Sequence, residues 1–286
     1  MVVDAVYAKV TGSSVKTFDD TNLYGVNANY AVSKTLNVEG YTFLRSRETG
    51  VVTPPPPSKG ENLYTTGARV NYTGVKNLSL GLESAFQYGS HIVNTTLYPN
   101  EGANSNAERS VRAWSLQGMA NYKIPMMTKY APMLNGTYTY LSGDKARSTR
   151  TTDKGWDPMF EDQNSGTLFN KIFALTDMQI FNLNFSVKPV EDIKVTASYY
   201  NLLANTPYVT EGALTRTLSG ISGDPTYAMK PDRYGLGNEI DLGITYDYTE
   251  DVQFTLSGGA FIPGGAFEKP SRETAKQLIG SMKVTF

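Results

Sequence analysis

Between Leu23 and Tyr30 the chain reads LYGVNANY, with Tyr24, Val26, Ala28 and Tyr30 on one set of alternate positions and Gly25, Asn27 and Asn29 on the other. Successive side chains of an extended strand point to opposite faces, so a period of two gives one apolar and one polar face and no helix. The same period returns in Tyr64–Tyr72, in Leu78–Glu83 and in Trp114–Tyr122. About twelve segments carry it, near residues 2–10, 21–31, 36–47, 62–73, 78–92, 109–122, 132–142, 176–188, 193–204, 234–248, 252–262 and 275–286. Such a chain is all-β.

The segments pair around short turns. In NANYAVSKTLNVEG, RVNYTGVKNLSLGL, LNFSVKPVEDIKVTA and ITYDYTEDVQFTL an aromatic is followed by a few turn residues and a fresh alternation. The other connections, near 47–61, 93–108, 143–175 and 205–233, are long and rich in Pro, Gly, Asn and Asp, which strand interiors exclude. Short turns at one end and long loops at the other predict a transmembrane up-and-down antiparallel β-barrel, one domain over residues 1–286, with its long loops outside. Six alternate segments end in an aromatic on the apolar face: Tyr30, Tyr72, Tyr122, Phe185, Tyr246 and Phe286. Rings held at one level are what a membrane interface selects, because the ring is apolar and a Tyr hydroxyl reaches water.

Composition supports this reading and excludes others. Nineteen Tyr, 12 Phe and 26 Gly, with 19% charged residues, suit short strands and turns. No cysteine is present, so there is no disulfide framework and no thiolate site. A net charge of −1 gives no basic field for nucleic acid, and none is expected as a partner. Mean hydropathy is −0.33, and no run is long enough for a membrane-spanning helix. A barrel hides its apolar surface in alternation, so neither figure argues against a membrane.

A Lys or Arg on the lipid face at mid-membrane costs roughly 2–4 kcal/mol, so strand charges should face the lumen. Parity then lines the pore with Glu39, Tyr41, Arg45, Arg47, Arg69, Glu83, Lys194, Glu239 and Asp241. Rings such as Tyr41 and Phe43 beside Arg and Glu would suit a sugar, and a cross-strand network that shapes the wall is the equal alternative. Arg112 shares the parity of Trp114 and fits a snorkelling anchor to headgroup or lipopolysaccharide phosphates. The acids Asp144, Asp153, Asp157, Glu161 and Asp162 lack calcium-loop spacing and read as a solvated loop, which could instead fold inward as a constriction. His91 is the only histidine; Ser90 beside it points to the opposite face, so the two form no dyad, and no enzyme, cofactor or metal is expected.

LGNEIDLGITYDYTEDVQFTLSGGAFIPGG, Leu236 to Gly265, resembles the C-terminal motif of the alginate-export family of outer-membrane porins, with its Gly-x-Glu-Ile-Asp-Leu strand and Phe-x-Pro-Gly ending. The stretch from Tyr138, with Tyr-x-Ser-Gly-Asp at 140–144, is similar to the same family, so the likeness runs from Tyr138 to Phe286. The resemblance implies a passive outer-membrane channel in a barrel larger than twelve strands. This chain would then be the C-terminal part of a barrel of about 16–18 strands, unless its own strands close the wall. It implies a basic constriction selecting acidic sugars; Arg45, Arg47, Arg69 and Lys194 fit that, and Glu39, Glu83, Glu239 and Asp241 depart from it. The last strand, LIGSMKVTF, resembles the signal read by the barrel assembly machinery. Expected partners are outer-membrane lipid and lipopolysaccharide, that machinery, and small hydrophilic or acidic sugar solutes. The alternative function is a non-conducting scaffold barrel in an envelope complex.

Overall fold

The computed structural model describes residues 1–11, 20–48, 60–94, 106–143, 152–159, 166–206, 216–217, 226–227, 230, 233–269 and 271–285. In chain order the strands are β1 Val2–Thr11, β2 Thr21–Ala31, β3 Leu36–Glu48, β4 Gly60–Val75, β5 Leu78–Asn94, β6 Asn106–Lys123 and β7 Met133–Leu141. After the two-residue β8, Thr152–Asp153, and the one-turn helix α1, Phe169–Ile172, come β9 Met178–Val190 and β10 Ile193–Ala204. The two-residue β11, Arg216–Thr217, and β12, Thr226–Tyr227, precede β13 Gly235–Asp247, β14 Val252–Pro263 and β15 Ala275–Val284. The main sheet runs β1-β2-β3-β4-β5-β6-β7-β9-β10-β13-β14-β15, each strand antiparallel to the next. This is the meander expected from the hairpin repeat. β8 pairs with β6 in parallel, and β11 pairs with β12 apart from the sheet.

Turn chemistry fixes the register. Between β4 and β5 only Lys76 and Asn77 intervene, and Asn77 takes φ 63, which Asn tolerates better than most residues. Between β2 and β3 the Ser33 hydroxyl accepts from the N–H groups of Thr35 and Leu36. Cross-strand partners then keep faces together: Tyr30 opposes Val38, Val38 opposes Val70, Val70 opposes Leu82, and Leu82 opposes Gly118. A one-residue slip would send every one of them to the other side.

The two faces have opposite polarity to those of a water-soluble sheet. Leu242 is 61% exposed, while Asp241 beside it is 8% exposed and Glu239 is fully buried. Leu82, Phe181, Ile240, Ile244 and Leu256 are exposed in the same way. So many bare apolar side chains on one face demand a non-aqueous surround. Tyr30, Tyr72, Tyr122, Phe185 and Tyr246 are exposed on that face. Phe286 lies outside the described residues. No described helix is long and apolar enough to cross a membrane; the crossing is made by strands.

The opposite face is polar toward the short-turn end, and toward the long-loop end it turns apolar on β7 and on β9, β10, β13 and β14. There Leu141, Met178, Ile180, Leu202, Leu236 and Phe261 are buried beneath Phe169, Phe173, Leu175 and Phe267 from the connections. A smaller cluster joins Leu63, Val111 and Ala113 to Met159. Trp156 packs against both clusters, so the β7–β9 connection touches two separate sectors of the wall.

Candidate functional site: the polar face and the connection folded onto it

The 152–159 segment docks on β3 to β6. Arg45 donates from Nη1 and Nη2 to the Asp157 carboxylate at 3.0 and 2.6 Å, and from Nη2 to Glu61 at 3.0 Å. Arg47 reaches the other Glu61 oxygen at 3.2 Å. Glu61 is 1% exposed, and two guanidinium groups offset its burial. Gln87, also fully buried, donates to the Asp157 carbonyl at 2.7 Å and accepts from the Asp157 N–H at 2.9 Å. Its amide therefore closes a two-way bridge to the segment's backbone.

Nearer the mouth, His91 and Asp153 meet at 3.3 Å. Burial alone would raise the Asp153 pKa. The hydrogen bond from His91, the Gly155 N–H and the charges of His91 and Arg109 outweigh it, and hold the carboxyl below the usual carboxylate range. Asp144, Glu161 and Asp162 lie outside the described residues. Among the described residues no group of three or more acids or histidines is placed to hold a metal ion.

The 166–177 segment docks on the far sector. Glu239 accepts from three consecutive backbone N–H groups: Thr167 at 2.6 Å and Leu168 at 3.0 Å on Oε1, and Phe169 at 2.6 Å on Oε2. The Thr167 hydroxyl donates to Asp241 at 2.8 Å. Gly259 makes this possible, since a methyl there would overlap Thr167 Oγ1 and Asp241 Oδ1. These acids hold a loop against the wall by satisfying N–H groups that no ladder serves.

The remaining sequence-derived pore residues sit lower on the same face. Glu39 opposes Arg69, and Arg69 opposes Glu83, in one row across β3, β4 and β5. Arg69 Nε is 4.0 Å from Glu83, and Tyr41 donates to Glu83 at 2.6 Å. Lys194 is exposed near the β9–β10 turn. The structure thus gathers Arg45 with Arg47, and Glu39, Tyr41, Arg69 and Glu83, and sets Glu239 with Asp241 apart on β13. Sequence reasoning passed over Glu61, Gln87 and Thr167. A signal for a covered wall was present in "MQIFN" and "YNLLA", where alternation fails and both faces turn apolar.

A sheet apolar on its outer face and polar on the other, with its own connection folded onto the polar side, defines the wall of a membrane-spanning β-barrel. The chain belongs to the alginate export family, whose model, described as "Alginate export", matches residues 7–281. It is an integral outer-membrane protein with a transport role. Among solved structures it is similar to LpxR from Salmonella typhimurium, at 10% identity and TM-score 0.36, covering 94% of this chain and 90% of that one. It is also similar to the Pseudomonas putida toluene transporter TodX, at 13% identity and TM-score 0.38, covering 93% and 74%. A comparison with curated proteins gives no significant match.

Proposed function

We propose that the protein is a passive channel for small hydrophilic solutes, acidic oligosaccharides among them, whose passage is restricted by the β7–β9 connection. The observation that carries this reading is the division of the polar face: a wall of amides and mixed charges toward the short turns, and a docked segment toward the long loops. Asn29 with Asn37, and Asn135 with Asn184 and Ser198, hydrogen-bond across strands along the open part. Amides and hydroxyls of this kind exchange hydrogen bonds readily with water and polyols. Transport is favoured over catalysis by the family description, and Ser90 faces away from the His91–Asp153 pair, so the two form no nucleophile–base couple. The pore wall is assigned to Glu39, Tyr41, Arg69, Glu83 and Lys194, with Arg45, Arg47, Glu239 and Asp241 as anchors of the restriction. The alternation of β15 supports its use as the strand read by the assembly machinery.

Purified protein in planar bilayers should give discrete current steps in KCl. Absence of steps at every salt concentration would favour the non-conducting scaffold. Reversal potential across a KCl gradient reports whether the arginines outweigh the acids, and a cation preference would remove acidic sugars from the cargo.

A further inference from the structure

We infer that Tyr41 and Phe43 form a stacking platform on the inner wall that binds the C–H face of a neutral pyranose ring. The inference takes the channel reading for the route by which a sugar arrives; binding at the platform stands apart from conduction.

The platform is built by small residues on both neighbouring strands. Tyr41 opposes Gly67 of β4, and Phe43 opposes Gly25 of β2. A methyl group at Gly67 would overlap the Tyr41 ring, and one at Gly25 the Phe43 ring. Each ring therefore lies over a glycine rather than standing up from the sheet. The ring centroids are 5.6 Å apart with planes at 46°, and both rings are half-buried. Tyr41 is also pinned at its far end by the hydrogen bond to Glu83, so the surface is preorganised and a ligand need not order it.

The rim supplies hydrogen-bonding capacity. Asn27, half-buried, opposes Tyr41 at the platform's edge. Glu39, Arg69 and Glu83 line the lower edge, two acids to one base. An aromatic face with polar groups at its edge matches a sugar, whose axial C–H groups are apolar and whose equatorial hydroxyls point outward. The excess of acid at the rim disfavours a uronate at this position. Thr65, opposite Phe43, donates to Met159 Sδ at 3.3 Å, so the platform lies directly beside the docked 152–159 segment.

Saturation-transfer NMR and titration calorimetry of the detergent-solubilised chain with maltohexaose test this, with a galacturonate oligomer as the acidic probe. The wild type should transfer saturation to the ring C–H protons of maltohexaose and bind it more tightly than the acidic oligomer at low salt. Tyr41→Ala with Phe43→Ala should weaken maltohexaose binding by about tenfold or more. Tyr41→Leu with Phe43→Leu keeps apolar bulk for folding but removes the flat faces, and should lose as much. Tyr41→Phe keeps the face and should retain binding within about threefold. Unaltered affinity in the leucine double variant, no transfer in the wild type, or preference for the acidic oligomer would each overturn the platform. Sugar binding without any bilayer current would leave the platform standing and defeat the channel reading instead.

Discussion

Replacing Glu239 by Ala removes the acceptor for three backbone N–H groups at once. A buried donor left without a partner costs roughly 1–3 kcal/mol, so a segment that stayed docked and dry would lose roughly 3–9 kcal/mol. Opposing its release is the burial of Phe169, Phe173 and Leu175, which are 0%, 4% and 6% exposed. At roughly 1.5–3 kcal/mol for each side chain, that burial contributes about 5–9 kcal/mol. The two sums are comparable, so the Ala variant should hold the 166–177 segment only loosely, whereas in the wild type both act together. Hydrogen exchange read by mass spectrometry on peptides spanning 166–177 should show protection falling by about a hundredfold or more. Glu239→Gln keeps one acceptor oxygen and should fall between. The current step in a planar bilayer should also increase if the segment restricts the lumen. If exchange across 166–177 is the same in the Ala variant and the wild type, the anchoring role assigned to Glu239 is refuted, whatever happens to conductance.

Other outcomes follow from the same geometry. Arg45→Ala removes one of the guanidinium groups paired with the buried Glu61 and the guanidinium partner of Asp157; equilibrium unfolding in detergent should show a loss of roughly 3 kcal/mol, and a loss below about 1 would mean that water reaches Glu61. Asp153 is held below its unfolded pKa, so its contribution to docking is complete above about pH 4 and disappears as pH falls through the folded value. Followed by Trp156 fluorescence in a Trp114→Phe background, His91→Ala should move that acid transition to higher pH, and superimposable curves would count against the pairing. Leu242→Arg puts a cation on the apolar face and should cost roughly 2–4 kcal/mol in refolding into bilayers. Thr196→Arg on the polar face should cost much less, and equal costs would contradict the assignment of faces.

The period of two determined much by itself. It set the strands, their antiparallel order and which side chains share a face, because alternation is local and each short hairpin carries its own register signal, as Asn77 does between β4 and β5. The family likeness was legible for a similar reason, since Gly237–Leu242 and Phe261–Gly264 lie within single strands and their ends. Parity also put Glu239 and Asp241 on the right side of the sheet, but it could not tell an open wall from a covered one. That was decided only when residues 70 or more apart met: Thr167 with Glu239, and Gln87 with Asp157. A loop has no period to announce where it docks; its place is set by which buried N–H groups, carboxylates and rings satisfy one another in three dimensions. The sequence by itself determined a membrane wall and its two faces, and the tertiary structure decided that the carboxylates on the inner face hold a segment of the chain in place.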